Sequence, residues 1–292
     1  MPARDSLHFG HAVVAALVLQ LVAAPQLAAE SSSNASPWVK QAYSKVRLVS
    51  GAVEGLSQDG WVAGVQIRLA PGWKTYWRNP GDSGVPPEFN WSGSVNVKEA
   101  EVMYPAPIRF SDGAGTAIGY TGEVIFPVRV TPKEPGLPVE LKLNVTFGIC
   151  KTLCIPSEVA LNLALPPIEI ASKGKDLLLE RFAALVPKPV EPGELPKIGT
   201  VEANLNGKKP EVIVEAEFPE GAFATDLFAV SPDVSIPVPR PLGPPEGGKQ
   251  RFAIGFASEE EAAAVKGKSL TLTLVWDGGA REATITVGGP AF

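Results

Sequence analysis

The chain has 292 residues, 45% of them apolar, with 29 prolines, 29 glycines and a formal net charge of −5. That length predicts two domains, each with enough apolar residues for its own core, and the Pro and Gly content argues against a helical protein and for short strands joined by turns. No basic run is present, which excludes nucleic acid as an expected partner.

Residues 1–29 read as a secretory signal: Arg4 near the start, an apolar core from Ala12 to Ala24 broken only by Gln20, and a small-residue cleavage site at Leu27-Ala28-Ala29. The apolar core is too short to span a bilayer, so cleavage without stable membrane insertion is the expectation. His8 and His11 are the two histidines of the chain. Their removal leaves the mature protein without a Ser-His-Asp triad, a Cys-His pair or an imidazole metal ligand.

Tyr43 to Ser50 alternates and reads as a first strand. Trp61, Ala63, Val65, Ile67 and Leu69 then share one face, the mark of a half-buried strand. Pro71 to Gly84 carries Trp73, Tyr76 and Trp77 among dense turn residues, with no clean period, and reads as an aromatic loop that covers something. Val85–Trp91 and Val95–Tyr104 are expected strands, and Pro105–Tyr120 is expected to be irregular. Glu123–Thr131 reads as a strand that Pro127 would push to an edge or a bulge, because proline removes a ladder donor. Val139–Phe147 alternates most clearly of all, and Ser157–Leu165 follows it.

Residues 38–167 form the expected first domain, and 168–197 a helix (Lys175 to Val186) followed by a proline-rich linker. Residues 198–292 form a second, mainly β domain, with strands expected at Thr200–Leu205, Glu211–Phe218, Leu227–Val230, Gln250–Phe256, Ser269–Trp276 and Glu282–Val287. Ser258 and Glu261 match a capping box at the start of a short helix. Nothing in this half proposes chemistry, so it reads as a scaffold or docking domain. The fold class is therefore all-β.

Both cysteines, Cys150 and Cys154, lie between two strands. In an extended strand, residues four apart are separated by about 13 Å, whereas a disulfide needs Cα atoms within about 7 Å. The segment must turn if the two bond, and a secreted compartment allows the bond. Three readings are open. A permanent staple closing so short a loop contributes only about 2 kcal/mol. A redox pair would cycle between dithiol and disulfide. Two thiolates also suit linear Cu(I), although they do not complete a zinc site. No other metal or cofactor is expected. A thioredoxin-like reading fits poorly, because the spacing is C-x-x-x-C and the flanks are strands. Lys151 is the nearest positive charge that would favour a thiolate.

Four phrases, Gly72–Gly84 (GWKTYWRNPGDSG), Tyr104–Pro107 (YPAP), Gly119–Val128 (GYTGEVIFPV) and Phe147–Pro156 (FGICKTLCIP), together resemble the N-terminal periplasmic domain of DsbD-type thiol:disulfide interchange proteins, especially the ScsB branch. The resemblance covers about Trp38 to Pro167. It implies a periplasmic protein whose first domain is an immunoglobulin-like β-sandwich, with Cys150 and Cys154 as the redox pair at one end. It also implies that Cys154 attacks and Cys150 resolves, as in a protein-disulfide reductase. The expected partners are a thioredoxin-like domain or a membrane electron transporter of the DsbD/CcdA type as donor, and periplasmic protein disulfides as substrates. Trp73, Tyr76, Trp77 and Tyr120 fall in the matched phrases and are candidates for shielding the pair. Asp82 and Glu123 are candidates for proton handling, with a turn residue and a solvated strand charge as their plainer readings. The sequence shows neither the multi-span membrane domain nor the C-terminal thioredoxin domain of the DsbD type, so a stand-alone secreted form with a separate donor is expected.

Overall fold

The computed structural model describes Met1 and residues 34–56, 61–111, 115–167 and 176–289. Apart from Met1, the expected signal segment and its cleavage site lie outside the described residues. Among the described residues, no helix is long and apolar enough to cross a membrane.

The first half carries β1 (Val39–Lys40), β2 (Ser44–Gly51), β3 (Trp61–Leu69), β4 (Lys74–Gly81), β5 (Glu88–Asn90), β6 (Val97–Val102), β7 (Ile108–Ser111), β8 (Thr116–Thr121), β9 (Glu123–Pro132), β10 (Val139–Cys150) and β11 (Cys154–Leu165). One sheet runs β1-β2-β3-β9-β6. The other runs β11-β10-β4-β8-β7, with β5 paired to β10. Alternation explains the packing: Leu141, Leu143, Val145 and Phe147 of β10 point inward, while Lys142, Asn144 and Thr146 point away. Their inward faces meet Val65, Ile67, Val124 and Phe126 of the opposing sheet in one core. This is an immunoglobulin-like β-sandwich.

The second half carries the helix α1 (Leu177–Ala184), then β12 (Lys188–Pro189), β13 (Lys197–Asn204), β14 (Glu211–Glu217), β15 (Asp226–Val230), β16 (Arg240–Pro241), β17 (Lys249–Gly255), the helix α2 (Glu259–Ala264), β18 (Ser269–Trp276) and β19 (Gly279–Thr286). Two sheets, β12-β19-β18-β15 and β13-β14-β17-β16, enclose a separate core around Val212, Phe252, Leu272 and Ile285. The chain is thus all-β with a second β domain. Ser258 Oγ accepts from the Glu261 N–H at 3.2 Å, and the Glu261 carboxylate reaches back to the Ala257 N–H at 3.0 Å, closing the box one residue earlier than the pattern requires.

Three local expectations are corrected. The aromatic stretch is not a loop: Lys74–Gly81 is a strand between β10 and β8. Its period was invisible because Thr75, Tyr76 and Trp77 are all buried, on both faces. Pro105–Tyr120, read as irregular, supplies β7 and β8. Glu123–Thr131 is an interior strand, not an edge. The Pro127 carbonyl faces the β6 side and accepts from the Met103 N–H at 2.8 Å. The missing proline donor faces that same side, beyond the last pairing of β6 at Val102, so the ladder to β3 loses nothing.

Asp176 caps α1, its carboxylate accepting from the Leu178 and Leu179 N–H groups at 3.0 and 2.9 Å. The helix packs on the outer face of the β2-β3-β9 sheet, where Leu179 meets Val49, Val62 and Ile125. Gly64 makes this close approach possible, since a Cβ there would stand 2.6 Å from Ile125 Cγ2 and 2.9 Å from Leu179 Cδ1. Leu179 is 0% exposed and Leu177 is 77% exposed.

The two halves meet along β4 and β7. Phe228 of β15 joins the first core, with its ring 5.9 Å from that of Trp77. The Asn79 amide donates to the carbonyls of Ala229 (2.8 Å) and Ile236 (3.1 Å). Arg109 grips the Asp226 carboxylate with two bonds of 3.0 and 2.7 Å, and Arg78 pairs with Glu282.

Leu179→Ala is expected to lower stability by about 2–4 kcal/mol in urea unfolding. Leu177→Ala, on the exposed side of the same turn, is expected to change it by less than about 0.5 kcal/mol. Equal effects would show that α1 does not seat as described.

Candidate functional site

The site is the tip of the β10–β11 hairpin. The two strands pair in unbroken register from Val139 opposite Leu165 to Cys150 opposite Cys154, leaving only Lys151, Thr152 and Leu153 in the turn. Both strands therefore run further than their alternation shows, and the cysteines are their last paired residues. Their Cα atoms stand 4.1 Å apart and the sulfurs are joined in a disulfide. The partners differ in access. Cys150 is 1% exposed, whereas Cys154 opens onto solvent. In the turn Leu153 is 70% exposed and Lys151 and Thr152 are exposed with it, while Val85, over Gly148, is half exposed.

Strand β4 holds the buried side of the pair. Lys74 lies opposite Cys150 in the ladder, and the Thr75 hydroxyl donates to the Gly148 carbonyl at 2.9 Å. Tyr76, on the Cys150 face, packs with Ala117 and Phe110 around Cys150. Its hydroxyl oxygen lies 3.4 Å from Cys154 Sγ, within hydrogen-bond reach of a sulfur. The chain at Gly84 then crosses the tyrosine ring. A Cβ at Gly84 would lie 2.2–2.4 Å from ring atoms of Tyr76, and its φ of +99° favours glycine as well. Val85 continues this strap over Gly148. The cover over the disulfide is therefore Tyr76, Phe110 and the Gly84–Val85 strap.

The other aromatic candidates lie elsewhere. Trp73 is in the core and stacks on Tyr43 with ring centres 4.1 Å apart. Trp77 faces inward against Phe228. Tyr120 stands edge-on to Phe126 at 5.4 Å and donates its hydroxyl to the Pro105 carbonyl at 2.8 Å. Burial, then the neighbouring Tyr104, pushes its phenol well above the usual range, and it stays neutral.

The two carboxylate candidates have partners of their own. Asp82 accepts the Thr116 N–H at 2.9 Å, fastening the end of β4 to β8. Glu123 is on the opposite sheet, where one oxygen accepts from Gln66 (2.7 Å) and Arg68 (2.8 Å). As for positive charge near the pair, the Lys74 ammonium donates to the Ser111 carbonyl at 2.9 Å and lies 4.8 Å from the centre of the Phe110 ring. The Lys151 side chain lies along Gly72. Among the described residues, no group of three or more His, Cys, Asp or Glu side chains is placed to hold a metal ion. A cleft of about 1010 Å³ exists, but it is lined by residues such as Arg78, Tyr104, Arg129 and Lys188, and by none of the hairpin tip.

Phe110, Gly84, Val85, Gly148 and Thr75 were not singled out from sequence. Phe110 sits in a short strand whose burial comes from a residue far along the chain, and no local pattern marks it. The glycines stand in the matched phrases, and their role is visible only as space that a neighbouring ring occupies.

Residues 48–166 match the family model described as the N-terminal part of the thiol:disulfide interchange protein DsbD. No curated protein matches the sequence. Among solved structures, the crystal structure of the N-terminal periplasmic domain of ScsB from Proteus mirabilis is similar, with a TM-score of 0.66 and 22% sequence identity. The match covers 89% of this chain and 100% of that one. The hairpin, its two cysteines and the sandwich that presents them all lie in the matched segment or at its margins, and residues 48–166 are thus a domain of the DsbD N-terminal, thiol:disulfide interchange family.

Proposed function

We propose that this protein is a periplasmic thiol–disulfide exchange module that passes electrons through Cys150 and Cys154 to protein disulfides. The observation that carries the reading is the asymmetry of the pair: one cysteine exposed at a hairpin tip, its partner buried beneath an aromatic cover. A staple has no use for that difference, whereas an exchange protein needs one sulfur to meet a partner and the other to wait.

In the reduced state the Cys154 thiolate attacks one sulfur of a substrate disulfide. A mixed disulfide forms, and the other substrate sulfur leaves as a thiolate that takes up a proton. The Cys150 thiolate then attacks Cys154 Sγ, restoring the Cys150–Cys154 disulfide and releasing the second substrate thiol. Two electrons have moved to the substrate. The pair is recharged when a dithiol of the thioredoxin-like class attacks Cys154 and leaves as a disulfide, with Cys150 the leaving thiolate. The hydroxyl of Tyr76 is the donor toward a Cys154 thiolate, which has no proton of its own to give. That hydrogen bond favours the reactive, charged form. The aromatic cover limits approach to the Cys154 side.

Cys154→Ala is expected to abolish exchange with glutathione disulfide, and Cys150→Ala to accumulate the mixed disulfide; exchange retained in Cys154→Ala would reject the assignment. The reduction potential of the wild-type pair is expected between about −270 and −120 mV, the range of exchange proteins, in a thiol-alkylation titration. A value below about −300 mV would identify a staple. In Tyr76→Phe, the pH midpoint of Cys154 alkylation is expected to rise by up to about one unit, equivalent to about 1.4 kcal/mol lost from the thiolate. The sign follows from losing a donor to the charged form. At a fixed pH below the midpoint the rate falls, and it recovers as pH rises.

A further inference from the structure

We propose that the second half of the chain is a positioning element for the redox pair, acting through Asn79 and the Arg109–Asp226 clamp on the two aromatic residues that cover the disulfide. This inference rests on the exchange reading above and assigns that site a regulator within the same chain.

Strand β4 runs from the disulfide to the second half. Its pairing with β8 is regular from Lys74 to Tyr76 and resumes only at Gly81. Immediately after the residue whose hydroxyl reaches Cys154, the strand therefore loses its neighbour on that side. The second half holds what the ladder releases. Trp77 meets Phe228, and Arg78 pairs with Glu282. Both amide hydrogens of Asn79 go to carbonyls of the second half, at Ala229 and Ile236, while its own side-chain oxygen accepts the Gly81 N–H at 3.1 Å.

Strand β7 repeats the arrangement. Phe110 lies over Tyr76 with ring centres 6.4 Å apart. Its neighbour Arg109 is fixed by both oxygens of Asp226 and also donates to the Leu227 carbonyl at 3.3 Å. Successive strand residues point to opposite faces. Each covering aromatic is thus backed, one or a few residues away, by a side chain anchored in the second half. A contact of 3.4 Å between a hydroxyl and a sulfur tolerates little displacement. Loosening Asn79 or Arg109 moves the cover, and with it the donor that favours the Cys154 thiolate.

Asn79, Arg109 and Asp226 touch neither cysteine in this arrangement, so their effect must pass through Tyr76. The test uses the reduced full-length mature protein and iodoacetamide, following Cys154 alkylation in a Cys150→Ala background between pH 5 and 9. Asn79→Ala removes both amide donors. Asp226→Asn keeps the side-chain volume but removes the charge that Arg109 grips, and is expected to fold even if Asn79→Ala does not. Each is expected to slow alkylation at pH 7 at least threefold and to move the pH midpoint upward. Lys268→Ala, which breaks the exposed ion pair with Asp233, is expected to change neither. In a Tyr76→Phe background the effects of Asn79→Ala and Asp226→Asn are expected to vanish, a result that general destabilisation would not produce. Rates within twofold of the parent for folded Asp226→Asn, or an undiminished effect in the Tyr76→Phe background, would overturn the inference. These outcomes are separate from failure of the exchange reading itself, which would appear as a parent protein unable to exchange with glutathione disulfide.

Discussion

The register of the β10–β11 hairpin is the constraint on which the site depends. Every inward residue of one strand faces an inward residue of the other, from Val139 and Leu165 to Ile149 and Ile155. A slip of one residue would turn the whole apolar set toward solvent, so the core forbids it. The same register that buries Leu141, Val145 and Phe147 delivers Cys150 opposite Cys154 at the tip. The disulfide is thus placed by the packing of a long ladder and does not have to organise the hairpin itself.

Strand β4 converts that local geometry into a site. It borders the hairpin at Lys74 and Thr75, presents Tyr76 to the sulfur of Cys154, and then passes into the grip of the second half. Burial on both faces explains why three large aromatics crowd one short segment. Trp73 and Trp77 fill the sandwich core, while Tyr76 fills the space above Cys150. The alternation of a strand divides residues adjacent in sequence between stability and chemistry.

Charge has a different task. The ion pairs of Arg109 with Asp226 and Arg78 with Glu282 bridge the two halves and are only partly exposed. They are more specific than exposed pairs such as Arg129 with Glu101, because each guanidinium also lies against an aromatic ring. Around Cys150, by contrast, the packing is apolar and aromatic. The two lysines nearest the pair in the ladder and the turn lie along other groups.

Where structure is local, the sequence was enough. The alternation of Val139–Phe147, the capping box at Ser258 and Glu261, and the turn demanded by two cysteines between strands depend on neighbours a few residues away. Those features are where the sequence placed them, to within the ends of the strands. The aromatic stretch and the segment after Pro105 misled, because strands buried on both faces, or short and glycine-flanked, carry no period of two. The position of Pro127 misled because its missing donor faces the end of β6, which leaves the ladder to β3 intact. The sequence by itself determined an all-β chain with one chemically notable hairpin. Only the tertiary structure decided which aromatics cover the disulfide, which cysteine is exposed and what stands behind them. The partners that settle these points, such as Asn79 and Ala229, are 150 residues apart, and no local pattern encodes their meeting.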